Sequence, residues 1–117
     1  MIIPWYWVAA TLMVVTAITH SILGEKRLII PLLQLHVGIL VHPLARQLLR
    51  FCWHFLGVLM IICGIVVAWP QTSDMINLII GATWLGVGLF DLAMTRGQHV
   101  GWPLLTLAGL TAVIGAV

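Results

Sequence analysis

An all-α integral membrane protein built as a four-helix bundle is the fold class this sequence predicts, on three observations. Of 117 residues, 62% are hydrophobic. Only 7% are charged, against roughly 25% in soluble domains. Four stretches approach the about 20 apolar residues that, at about 1.5 Å each, cross a hydrocarbon core of about 30 Å. So sparse a supply of polar side chains excludes a water-exposed globular surface, a disordered tail and a basic nucleic-acid-binding module. No linker or shift in composition divides the chain, so residues 1–117 read as one membrane domain.

The first span, residues 4–23, contains no charge and opens on Trp5, Tyr6 and Trp7. A cleaved signal peptide would need a basic start and a small-residue cleavage site. Met1-Ile2-Ile3-Pro4 has no base, and the span runs into Gly24-Glu25-Lys26-Arg27. The connection that follows, residues 24–47, is too apolar for a plain loop and too broken by Pro31, Gln34, His36 and Gly38 to span. It reads as an interfacial or shallow re-entrant segment. His42-Pro43 has the form of a helix start, with proline in the first turn. The second span, 48–69, is interrupted only by Arg50 and His54 near its beginning; the third, 76–95, carries one acid, Asp91, near its end; the fourth, 100–117, is uncharged and barely long enough.

Cytoplasmic loops keep an excess of Lys and Arg. Lys26, Arg27 and Arg46 lie in the first connection and Arg96 in the third, whereas the second has no base and one acid, Asp74. Both termini are therefore expected on the outer side. Trp5, Tyr6, Trp7 and Trp69 would form an outer aromatic belt, with Trp53 and Trp102 as the inner one.

At about 100° per residue, each of the first three spans has a face of small and polar residues. Such a face marks helix–helix contact, because lipid supplies no hydrophobic drive between helices and close backbone approach must do the packing. These faces are Ala9, Met13, Thr16, Ala17 and His20; then Arg46, Arg50, His54, Gly57, Ile61, Gly64 and Ala68; then Asn77, Gly81, Trp84, Gly88, Asp91 and Thr95. Cys52 and Cys63 fall opposite the second face and are too far apart along one helix to bridge.

By depth, His20, Glu25, Arg50, His54, Asp91 and His99 all lie near the cytoplasmic edge. Ionisable groups inside a membrane are costly and are functional candidates by default. Neutral imidazoles ligate transition metals, and two histidines at equal depth on neighbouring helices suit haem. His20 and His54 are thus candidate ligands, Glu25 a carboxylate able to orient one of them, and Arg50 a partner for a propionate, a phosphate or Glu25 itself. The structural reading of the same residues is interhelical hydrogen bonding and pairing, with Asp91 bonded to Arg96 or Arg50.

The stretches Thr19-His20-Ser21-Ile22-Leu23-Gly24-Glu25-Lys26-Arg27 and Leu49-Arg50-Phe51-Cys52-Trp53-His54 resemble a group of small uncharacterised bacterial inner-membrane proteins with four predicted helices. That group carries a His-Ser-x-x-Gly-Glu-Lys/Arg motif at the end of its first helix and Arg-x-x-Trp-His at the start of its second. The likeness covers the first half of the chain and implies a location in the bacterial inner membrane. It implies no activity.

Three functions are compatible with these residues. The leading expectation is a non-enzymatic accessory or assembly protein in the bilayer, working as a homo-oligomer or within a larger membrane complex. Another is a metal- or haem-binding protein using His20 and His54. The third is a small dimeric transporter, although its first span lacks the mid-membrane carboxylate that small multidrug exporters use. No nucleophile and base pair is evident, so catalysis is not predicted.

Overall fold

The computed structural model describes residues 3–117, which form four helices and, among the described residues, no strand. Helix α1 (Trp5–Leu33) is a continuous rod of 29 residues, about 43 Å long. It does not stop near residue 23 as expected. A π turn over Glu25–Ile29 carries it onward, with the Ile30 amide donating five residues back to the Glu25 carbonyl. One extra residue per turn steps the phase of the helix: Leu28, next in line after Ser21 and Gly24 for the inward face, is exposed, while Ile29 is 1% exposed. The re-entrant segment thus becomes helix as far as Leu33. A short 3-10 turn, Gly38–Val41, then precedes α2 (Pro43–Ala68).

Pro43 occupies the first turn of α2, where it has no amide partner to lose. Helix α3 (Asp74–Thr95) starts on a Ser73 cap whose hydroxyl accepts from the Ile76 amide, and it ends where Arg96 and Gly97 turn left-handed (φ 52° and 76°). Helix α4 (Trp102–Ala116) is only 15 residues, about 22 Å. The expected span 100–117 therefore falls short: Val100 and Gly101 belong to the turn that ends ahead of Pro103. Three helices, α1 to α3, are long and apolar enough to cross a membrane.

The helices lie side by side in the spatial order α2, α1, α4, α3, with α2 and α3 in little contact. The whole measures 55 × 31 × 20 Å. Ala9, Met13, Val67, Trp84, Ala108 and Ala112 form the core. Close approach depends on glycine. A Cβ on Gly109 would collide with the Leu85 backbone, and one on Gly81 with the backbone around Gly109 and Val113. Gly64 packs on the Ala10 carbonyl at a distance that leaves a Cβ 3.1 Å from it. The inward faces of α1 and α3 contain the expected residues, with Ala9, Met13, Thr16, Ala17, Asn77, Gly81, Trp84 and Gly88 all buried. On α2 the buried line runs through Gly57, Gly64 and Val67. Cys63 therefore packs against the core instead of facing outward, while Cys52 is exposed.

Both described ends of the chain and the 69–73 turn lie at one end of the molecule, where the Tyr6 hydroxyl donates to Asp74 Oδ1 at 2.6 Å. The long first connection and the 96–101 turn lie at the other, here called the polar end.

Candidate functional site: an interlock at the polar end

His20, Ser21, Gly24 and Glu25 are spaced i, i+1, i+4, i+5, so they share one face of α1 about 140° wide. Arg50, Trp53, His54 and Gly57 are spaced i, i+3, i+4, i+7, the corresponding single face of α2. The two helices run antiparallel, and these faces dock residue for residue. His20 Nε2 donates to the Trp53 carbonyl at 2.9 Å. Trp53 Nε1 returns a bond to the His20 carbonyl at 3.0 Å. Their rings stack with centroids 4.2 Å apart and planes 11° from parallel. The carbonyl partner requires the proton of His20 on Nε2.

Gly24 is what admits the indole, since a Cβ there would lie 2.1 Å from Trp53 Nε1. One turn away, Gly57 leaves room for the Ser21 hydroxyl in the same manner. Glu25 then closes the interlock. Its Oε1 accepts from Arg50 Nη2 at 2.9 Å and its Oε2 from His54 Nε2 at 2.9 Å. The carboxylate is thereby bonded through both oxygens to the neighbouring helix. These side chains are half-buried: Glu25 retains 25% of its side-chain exposure, His54 38% and Arg50 48%.

His20, Glu25, Arg50 and His54 thus line one interface between α1 and α2, with Glu25 bonded to Arg50 and His54 and His20 bonded to Trp53. The two imidazoles spend their Nε2 atoms on different partners, one on a carbonyl and one on a carboxylate. Among the described residues no group of three His, Cys, Asp or Glu side chains converges, and three is the fewest protein donors a zinc centre takes. Axial haem ligation would need both Nε2 atoms turned away from their present bonds.

Asp91 has a different partner from the one expected. Its Oδ2 accepts from His99 Nδ1 at 2.5 Å. Arg96, left-handed at the end of α3, makes no ion pair among the described residues. Arg46 is also occupied, with Nη1 donating to His36 Nδ1 at 3.0 Å and to the Leu40 carbonyl at 3.1 Å, which ties the first connection to α2. The members that sequence reasoning missed are Trp53, assigned to an interfacial belt, and His99 as the partner of Asp91. The spacing of Trp53 with Arg50, His54 and Gly57 was the available signal. Comparison with protein-family models, with curated proteins and with solved structures found no match for this chain.

Proposed function

We propose that this chain is a small polytopic protein of the bacterial inner membrane, non-enzymatic, acting as an accessory or assembly component whose polar cluster fixes the packing of α1 on α2. The observation that carries this reading is mutual satisfaction. Each polar atom that joins α1 to α2 at the polar end is bonded across the helix pair, the arrangement that lowers the cost of polar groups in lipid. Phe51, Phe55, Val58, Ile62 and Ile65 on the far side of α2 are exposed, which suits contact with acyl chains. Lys26, Arg27, Arg46, Arg50 and Arg96 all belong to the polar end, which favours the cytoplasm for that end and the outer side for the termini. As an accessory component it works beside a second copy or inside a larger membrane complex.

The test is purification in mild detergent from a bacterial host, with metal analysis and an absorption spectrum, for wild type and for His20→Gln and His54→Gln. A packing role predicts colourless, metal-free protein whose variants lose thermal stability and cellular phenotype in parallel. A stoichiometric metal, or a Soret band abolished by His54→Gln, overturns the packing role. Orientation is read separately: in intact spheroplasts an impermeant maleimide should reach Ser73→Cys but not Gln98→Cys, with Cys52 and Cys63 replaced.

A further inference from the structure

A cleft of about 430 Å³ opens beside the interlock, between α1, α2 and the start of α4. Along α1 it runs from Thr16 to Leu28, about 18 Å of helix. Its deeper walls are Leu23, Met60, Leu104 and Leu105, and the stacked His20–Trp53 pair forms one side. At the polar end its mouth is made by Arg27, Gln98 and His99. Arg27 makes no ion pair among the described residues. His99 is held by Asp91 through Nδ1, which leaves Nε2 as its other polar atom.

The lining is mainly apolar, and the volume falls in the range of small-molecule sites. A cation, an amide and an imidazole at one end add a preference for negatively charged oxygen. Basic pockets between helices on the cytoplasmic side of a membrane bind anionic lipid heads. We propose that this cleft binds one anionic phospholipid, with an acyl chain against Leu104 and Leu105 and the phosphate at Arg27, Gln98 and His99. The inference rests on the membrane reading given above, and its test separates the two.

Delipidated protein in neutral detergent is incubated with equal amounts of phosphatidylglycerol and phosphatidylcholine of identical chains, and native mass spectrometry counts the lipid retained. Wild type is expected to keep one phosphatidylglycerol per chain, at least tenfold over phosphatidylcholine. Arg27→Gln should bring the two to near parity, whereas Arg46→Gln, outside the cleft, should leave the preference intact. Leu104→Trp, which fills the cleft, should lose both lipids while far-UV circular dichroism is unchanged. Equal retention of the two lipids by wild type, or an undiminished preference in Arg27→Gln, overturns the proposal. So does displacement of phosphatidylglycerol by equimolar oleate, which would make a free fatty acid the occupant. Alkaline carbonate extraction tests the membrane reading independently: a chain that stays with the membrane but shows no headgroup preference refutes the lipid site alone.

Discussion

Gly24→Ala tests the interlock most directly, because one methyl group carries two opposing effects. Alanine is favoured over glycine inside a helix by about 1 kcal/mol. At position 24, however, the new Cβ would lie 2.1 Å from Trp53 Nε1. That ring is held by its stack on His20 and by the 3.0 Å bond from its Nε1 to the His20 carbonyl, while the Trp53 carbonyl accepts from His20 Nε2 at 2.9 Å. Forcing a methyl into so well-packed a site costs about 3 kcal/mol, the upper part of the overpacking range. The net expectation is a loss of about 2 kcal/mol in the otherwise native protein. In a Trp53→Leu background the indole is gone, only the helix-propensity gain remains, and the same substitution should stabilise by about 1 kcal/mol. The coupling between the two sites is then about 3 kcal/mol. Reversible unfolding by dodecyl sulfate in mixed micelles, followed by circular dichroism, measures all four corners of the cycle. Additivity within about 0.5 kcal/mol, the behaviour of independent sites, or a stabilising Gly24→Ala in the native background, would refute the docking of Trp53 over Gly24.

Three further outcomes are expected in the same unfolding assay. Gly109→Ala meets backbone atoms of Leu85, which cannot move aside as a side chain would, so it should cost at least about 3 kcal/mol or prevent folding. Cys63→Ser places a hydroxyl against the core and should cost about 1–2 kcal/mol, while Cys52→Ser on the exposed side should stay within about 0.5 kcal/mol. Deleting Lys26 removes the extra residue of the π turn and lets α1 continue as a regular helix with its inward face intact; it should cost about 1 kcal/mol or less, whereas deleting Val14, inside regular helix, should abolish folding because everything beyond it rotates by about 100°.

The small and polar faces of α1 and α3 were legible because a 3.6-residue period projects directly onto the interface a helix will use. The selection of His20, Glu25, Arg50 and His54 as one cluster was legible too, since all four are polar residues at similar depth near one end. Their pairing was not. Whether His20 meets His54 or Trp53 depends on the axial register of two antiparallel helices, and that register follows from the fit of Trp53 over Gly24 and Ser21 over Gly57, which hydropathy does not encode. The length of α1 was hidden for a related reason. Glu25, Lys26 and Arg27 look like the end of a span, yet a helix can run on beyond the hydrocarbon, and a π turn leaves no signature in composition. Asp91 finding His99 instead of Arg96 follows from a backbone event: the left-handed turn at Arg96 and Gly97 reverses the chain and brings His99 back over the last turn of α3.

The dependence of α2 on this cluster follows from where it sits. At the outside of the row it packs chiefly on α1, and its buried residues are only Gly57, Gly64 and Val67. In water its many exposed apolar side chains would drive it onto its neighbours; in lipid they give no such preference, since acyl chains satisfy them equally well. In the membrane setting proposed above, attachment has to come from close packing at the two glycines and from polar bonds. Four interhelical bonds join α1 to α2 at the polar end, and at about 0.6 kcal/mol each in a membrane they supply about 2.4 kcal/mol. The His20–Trp53 stack adds about 1 kcal/mol. A total of about 3 kcal/mol shifts a helix-docking equilibrium by more than a hundredfold, which separates an α2 that stays on α1 from one that dissociates. The same bonds give orientation as well as strength. Rotating α2 by one residue would carry Arg50 and His54 off Glu25 and break both of its bonds to α2. The cluster therefore sets the face of α2 turned toward the rest of the protein, and the face with Phe51 and Phe55 is left for the surroundings.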